Sequence, residues 1–405
     1  MITLAEDDRI GAEVALDPAL AEQLRETALV SVRQVATGRY RLLPRINRVG
    51  AVRVGDTDVV VRPKVTIARL LFMLGYAKDP KFRPEDVEGT PDEDLWPAVA
   101  ETLCRHVERA VGPGILQGYL TEDAALPLVR GRIRVADQIA RHPGMPLPAE
   151  VRYDEYSIDT PENQILRSAL RRMLDVPRVR PETADRLRHL DARLEGVTTL
   201  LAGVRLPPWH PTRLNARYHP ALRICELVLR HQSFEIGSGG LQVAAFVVDM
   251  DKLFEDFVGT ALQEAWAAHP GQTRQQHEAD FDEAGAMRIR VDVVHFVNGQ
   301  PRIIVDTKYK LESSQGRYPR ADYYQTLAYC NALRVPAAWL VYAHGPQGTI
   351  TRRVRNTDID LVEYPLRLDE PPSTLLTQIA DLARSAWQLS HTMFAQQPEA
   401  EALTP

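Results

Sequence analysis

Ile303-Ile304-Val305-Asp306-Thr307-Lys308, read with Met287-Arg288-Ile289-Arg290-Val291-Asp292-Val293-Val294 upstream, decides the fold of the chain's second half. Side chains alternate faces along a strand, so Asp306 and Lys308 are expected on one side and Thr307 on the other. The upstream stretch alternates and then runs apolar, the pattern of a strand entering a buried sheet. Between them lies Val297-Asn298-Gly299-Gln300-Pro301, whose Asn-Gly step tolerates the positive φ of a tight hairpin. Register then matters. A two-residue Asn298-Gly299 loop alone sets Asp292 opposite Val305, whereas a three-residue loop or an equivalent bulge sets it opposite Asp306; the second arrangement is the expected one.

Two carboxylates facing each other across a hairpin offer hard oxygen ligands to Mg²⁺, with the Thr307 carbonyl as a further donor. Such a cation stabilises charge on a phosphodiester undergoing hydrolysis and acidifies a bound water. Lys308 can orient or deprotonate that water and offset phosphate charge. Alone, a strand-end Asp-x-Lys reads as a solvated ion pair, so its surroundings carry the argument. The stretch from Ala321 to Leu333 reads as a helix bearing Gln325 and Tyr329 on one face. The glutamine can hydrogen-bond a nucleotide or a ligand carboxylate, and the tyrosine can stack, donate to phosphate or simply cap the sheet. Ahead of the hairpin, Asp251 is positioned to cap a helix running to about Trp266. Glu255 borders its buried stripe of Phe254, Phe257, Val258 and Ala261. It is either a further carboxylate reaching the metal or its water, or an ordinary surface glutamate.

A helical Glu, a strand Asp, Asp-x-Lys on the next strand and Gln-x-x-x-Tyr on a helix together resemble the PD-(D/E)xK nuclease superfamily, in its RecB-like branch, over roughly residues 241–405. Val291 stands where the superfamily's name has proline. Further segments widen the resemblance: Val49-Gly50 to Arg62-Pro63-Lys64, Leu70 to Tyr76, Gly131-Arg132-Ile133, Asp159 to Leu166, and Leu253-Phe254-Glu255-Asp256-Phe257-Val258. In this order they are similar to the McrC family, the nuclease subunits of McrBC-type modification-dependent restriction systems. That resemblance implies an α+β N-terminal region of β-rich hairpins and helices that docks on and stimulates a McrB-like hexameric AAA+ GTPase. It implies next an α/β restriction-endonuclease-like domain, with a central mixed sheet flanked by helices, that cuts modified double-stranded DNA. By this reading Asp292, Asp306, Glu255 and Thr307 hold Mg²⁺, while Lys308, Gln325 and Tyr329 complete the catalytic set.

Composition agrees with this assignment. At 405 residues the chain exceeds one ordinary core, so two or three domains are expected. A net charge of −5 is not that of a self-sufficient DNA binder, so DNA contacts should be local or shared with a partner. Cys104, Cys225 and Cys330 lack metal-ligand spacing and fit buried positions in a reducing cytoplasm. No apolar run is long enough to span a bilayer, and no Gly-x-x-x-x-Gly-Lys-Ser/Thr loop exists to cradle nucleotide phosphates, so this chain is not the motor. His295 should face away from Asp292.

The domain division is expected at Gly237-Ser238-Gly239-Gly240, separating a partner-docking region of 1–240, β-rich to 66 and mixed from 67, from a nuclease domain of 241–405. A hairpin is read from Ala51-Val52-Arg53-Val54 and Val59-Val60-Val61-Arg62. From Arg41 to Lys64, six basic residues, Arg53, Arg62 and Lys64 among them, face two acids, which reads either as a contact for DNA or an acidic partner or as a solvated face. Leu128 to Val135 is read as a strand with Arg130, Arg132 and Arg134 on one side, open to phosphate or to a partner's acidic rim. Asp159 is read as a helix cap, and Lys78 to Asp94 as an acidic surface loop. Two other functions fit the same residues: a stand-alone repair or processing nuclease, and a non-catalytic activator of an AAA+ ring.

Overall fold

The computed structural model describes residues 1–82, 87, 95–176, 179–201, 203–236, 242–309, 320–343 and 348–395. Most of the expected acidic loop and the Gly237–Gly240 linker therefore lie outside the described residues. Contacts divide the chain into two units, Met1–Ala98 with Glu235–Pro405, and Val99–Phe234. This corrects the single cut at 240, because the first 98 residues fold with the C-terminal half.

The first unit opens with β1 (Ile2–Ala5), β2 (Ala12–Ala15), α1 (Pro18–Glu26), β3 (Val30–Ala36), β4 (Arg39–Pro44), β5 (Arg48–Val54), β6 (Thr57–Arg62), α2 (Ile67–Tyr76) and the start of α3 (Leu95–Val111). The expected hairpin is β5–β6, closed at the Val54–Thr57 pair with Gly55 at φ +55°. Helix α1 was not foreseen, although Asp17 accepts from Ala19 N and Pro18 opens it, both standard entry signals. Its Ala21 and Leu24 pack with Leu42, Val52, Val59 and Val61 in one core.

The second unit holds the rest of α3, then β7 (Gly118–Leu126), β8 (Arg132–Ile133), α4 (Val135–Arg141), β9 (Ala149–Ser157), α5 (Pro161–Leu174), α6 (Pro181–Arg193) and α7 (His219–His231). The long arginine-bearing strand is not formed: Gly131 turns with φ +73° and Arg134 precedes α4. Two of its arginines are engaged within their own unit. Arg130 stacks 4.4 Å over the Tyr153 ring, and Arg134 contacts Asp123 at 3.4 Å and Glu150 at 3.8 Å. Arg132 is an exposed residue of the two-residue β8. Thr160, not Asp159, caps α5 by accepting from Asn163 N; Asp159 instead accepts from Thr198.

After β10 (Gln232–Ile236), the chain returns to the first unit through β11 (Gln242–Asp249), which runs antiparallel to β5 in a sheet of order β1-β6-β5-β11-β10. Then come α8 (Met250–Ala265), β12 (Gln272–Asp280), β13 (Arg288–Val297), β14 (Gln300–Lys308), α9 (Arg320–Leu333), β15 (Ala337–Tyr342), β16 (Ile350–Arg353), β17 (Asp360–Pro365) and α10 (Pro372–Ala395). Asp249 caps α8 by accepting from Lys252 N, and Asp251 accepts from Asn47 Nδ2, which corrects the expected cap. The second large sheet has the order β12-β13-β14-β15-β17-β16, antiparallel from β12 to β14 and parallel from β14 through β15 to β17. It is mixed, as expected. Tyr329 and Cys330 of α9 pack on Val294, Ile304, Leu340 and Tyr342, while Trp266, at the end of α8, donates to Ala383 O of α10 at 3.0 Å.

The two parts of the first unit meet beside the strand that carries Asp306. Tyr309, the residue after Lys308, donates to Glu6 Oε2 at 3.3 Å, and Asn47 Nδ2 reaches Tyr309 O at 3.4 Å. Among the described residues no helix is long and apolar enough to cross a membrane.

Candidate active site

The β13–β14 hairpin settles the register by a bulge. Val297 pairs with Gln300 around a two-residue turn in which Asn298 and Gly299 have φ of +53° and +77°. The register then shifts between His295 and Phe296, from Phe296–Pro301 to His295–Ile303, leaving Arg302 as the extra residue. The ladder ends at Val293–Val305, and the next residues in line are Asp292 and Asp306. A ladder continued through Arg302 without the bulge would set Asp292 opposite Val305, one step out of line with Asp306.

Strict alternation nevertheless fails at the site. Ile289 and Val291 join the same core beneath α9 as Val294 and Phe296, so the strand changes face at Asp292-Val293. On the neighbouring strand Gln276, bracketed by the pairs Gln275–Val293 and His277–Val291, has φ +52°. In this opened region Asp292 Oδ2 accepts from Thr307 N at 2.8 Å and Thr307 Oγ1 at 2.9 Å. Thr307 was expected to point away from the cleft; its hydroxyl is engaged with Asp292 instead. The carboxylate has taken the place of a strand acceptor.

Asp306 is completely buried. Lys308 Nζ stands 2.8 Å from its Oδ2 as an ion pair outside hydrogen-bond angles, and Oδ1 has no hydrogen-bond partner among the described residues. Burial, with help from the charge of Asp292, pushes the Asp306 carboxyl up to about 7 despite the lysine. Burial alone would lower the Lys308 ammonium, but the Asp306 charge prevails and raises it. Lys308 is therefore held charged. Glu255 sits half-buried on α8, and burial together with the Asp292 charge raises its carboxyl to about 7.

Helix α9 supplies the opposite wall. Gln325 Nε2 donates to Tyr329 Oη at 2.6 Å, so the two residues expected on one face are bonded to each other. The Tyr329 hydroxyl rises to about 12, through burial first and the Asp306 charge second. Sequence reasoning missed Asp322, which lies in the first turn of α9, is buried, and acts electrostatically on both Asp306 and Lys308. Its spacing of three residues before Gln325 was the available signal.

The donor set suits a hard divalent cation. Asp292, Asp306, Glu255 and Asp322 are four carboxyl groups linked by their mutual charge, with Lys308 beside Asp306 and Lys252 and Arg290 acting on Glu255, and Asp306 Oδ1 is buried without a donor. Among the described residues no three acidic, histidine or cysteine side chains already stand in ligating positions. The reason is visible: Asp292 is turned to Thr307 and Asp306 to Lys308. His295 takes no part, being buried between Thr273 Oγ1 and Pro270 O.

The basic residues of the N-terminal hairpin are largely engaged within the chain. Arg53 pairs with Asp58 across β5–β6 at 2.7 Å, Arg48 with Asp249 at 2.8 Å, and Arg41 with Glu13. The backbone of the same segment is tied to Glu6, through Lys64 N to Glu6 Oε2 and Glu6 N to Arg62 O.

The family model for McrBC 5-methylcytosine restriction system components matches residues 44–343. Among solved structures, a chain of a half-complex from a tetradecameric assembly of Thermococcus gammatolerans McrB AAA+ hexamers with bound McrC has a similar fold. Its TM-score is 0.62 at 17% identity, over 95% of this chain and 99% of that one. A chain of the Thermococcus gammatolerans McrBC complex matches at TM-score 0.42 and 20% identity, over 66% of this chain and 88% of that one. No curated protein sequence matches.

Proposed function

The chain belongs to the family of McrBC 5-methylcytosine restriction system components, and from that premise we propose that it is a Mg²⁺-dependent endonuclease subunit cutting modified double-stranded DNA together with an AAA+ GTPase. The observation that carries this reading is Asp306: a carboxylate sealed from solvent, paired with Lys308, with Asp292 next in line across the hairpin and Glu255 close by. An arrangement so rich in negative charge is costly for a merely structural purpose. Its sequence of elements, a helical Glu, a strand Asp, Asp-x-Lys and Gln-x-x-x-Tyr, supports a PD-(D/E)xK nuclease core.

Asp292, Asp306 and Glu255, with the Thr307 carbonyl, would hold the cation. When bound, Mg²⁺ supplies Lewis-acid stabilisation of phosphoryl charge and a more acidic water. Lys308, kept as ammonium, cannot accept a proton in that state; it orients the attacking water and offsets charge on the phosphoryl oxygens. Glu255, whose carboxyl is raised to about 7 without the cation, would give up that proton as the cation binds. Tyr329 and Gln325 fix the wall beside Asp306.

The test is scission of methylated and unmethylated plasmid with Mg²⁺, with and without the AAA+ partner and GTP, comparing wild type with Asp306→Ala and Lys308→Ala. Loss of cutting with GTP turnover intact supports the division of labour. Cutting by the chain alone would make it a stand-alone nuclease, and GTPase stimulation without wild-type cutting would leave only an activator.

A further inference from the structure

We propose that Gln276 is a further substrate-contacting residue of this site, its side-chain amide donating to the DNA phosphate that lies against Asp292; the inference rests on the nuclease reading above.

Three independent observations meet at this residue. Gln276 is the β12 residue that stands across from Asp292, between the pairs Gln275–Val293 and His277–Val291. Its φ of +52° is a left-handed conformation that a side-chain-bearing residue inside a strand rarely adopts, and such outliers collect at functional sites. Its Nε2 is buried and finds no hydrogen-bond acceptor among the described residues. A buried amide donor without an acceptor opposes folding, as does the backbone conformation that holds it there. Both penalties fall on the one residue beside the proposed metal ligand.

The packing of α8 reaches the residue before it, Gln275. Glu255 and Gly259 lie one turn apart on one face of α8. A Cβ on Gly259 would meet the Gln275 side chain at 2.8 Å, so α8 rides directly on β12 at that point. Gln275 Nε2 is satisfied by Gln263 Oε1 at 3.3 Å on the same helix, whereas its neighbour Gln276 is not satisfied. Gln276 thus lies next to the place where α8 meets the sheet, with Asp292 across the ladder.

The chemistry of the pocket names the missing acceptor. Asp292, Asp306 and Glu255 offer oxygen acceptors, and Lys308 is taken up by Asp306. A phosphodiester brings non-bridging oxygens that these carboxylates can only repel. A neutral amide donor contributes a hydrogen bond there without adding a charge that would compete with the cation.

Full-length Gln276→Glu and Gln276→Gly, each assembled with the AAA+ partner and GTP, test this on methylated duplex DNA. Glutamate keeps the shape but replaces the donor by an acceptor. Glycine removes the amide and also relieves the left-handed backbone. The expected result is cleavage slowed at least about 100-fold in Gln276→Glu and at least about tenfold in Gln276→Gly, seen in kcat. The thermal midpoint of the glycine variant should be equal to or above that of wild type. In EDTA, where no cut is made, both variants should hold a DNA duplex several-fold more weakly. A glycine variant that cuts and binds like wild type would overturn the inference alone, since only backbone strain would then distinguish the residue. Failure of the wild type itself to cut would overturn both this inference and the reading beneath it.

Discussion

Asp306 and Lys308 are separable by substitution. Asp306→Asn keeps the shape of a fully buried side chain but removes a charge that a cation would require, so scission should fall at least about 100-fold. Lys308→Arg keeps a positive charge but replaces a compact ammonium with a planar fork, which a side chain paired at 2.8 Å to a sealed carboxylate cannot accommodate unchanged. At least about a tenfold loss is expected there too, read as initial cleavage rate. The raised carboxyls give a pH signature. Glu255 and Asp306, both near 7, keep protons in the metal-free folded state that an unfolded chain releases at about pH 4. Metal-free stability should therefore fall as pH climbs from about 4 to about 7, and Mg²⁺ affinity should rise through the same upper limit as the ligands ionise. Thermal midpoints with and without Mg²⁺ across that range check this, and Glu255→Gln should flatten the response. A Mg²⁺ effect independent of pH would remove Glu255 and Asp306 from the ligand set.

At the scale of elements, the bulge in β14 fixes the alignment of the site. Inserting one residue after Arg302 pushes Asp306 one step further along and sets Asp292 opposite Val305. Cutting should be lost in that variant, and cutting retained would mean that the register does not matter. Gly50 makes a different demand: its φ is +143°, and a Cβ there would come within 1.9 Å of Phe246 O on β11. Gly50→Ala should cost about 3 kcal/mol in chemical denaturation by prising β5 from β11. Sequence reading located α9, β15 and α10 within one residue and β13 and β14 within three, because period, turn chemistry and apolar runs agree there. It anticipated the need for a bulge because chemistry demanded facing carboxylates. What it could not see are the results of long-range pairing: the left-handed Gln276, the engagement of Asp292 by Thr307, and the contacts of Arg130 with Tyr153 and of Arg134 with Asp123. Asp322 and α1 carried local signals that were passed over.

On the scale of the whole molecule, the linear view fails where the chain doubles back. Residues 1–98 and 235–405 form one unit, and β11 has its partner β5 in the N-terminal segment rather than in the sheet that carries Asp306. The net charge of −5 has a matching logic, since Arg41, Arg48 and Arg53 are matched by acids of the same unit. Dissecting the chain checks this organisation. A fragment of 241–405 keeps every strand of the site's sheet but loses the partner of β11, along with the Glu6 contact to Tyr309 and the Asn47 contact to Asp251. An exposed strand edge next to the site should leave this fragment prone to aggregation and without a single cooperative unfolding transition. Adding a 1–98 fragment should restore the transition. A fragment of 99–234, a contact unit in its own right, should unfold cooperatively alone. Cooperative unfolding of 241–405 by itself would show instead that the C-terminal half is closed at residue 240, and that the N-terminal strands are an accessory to it.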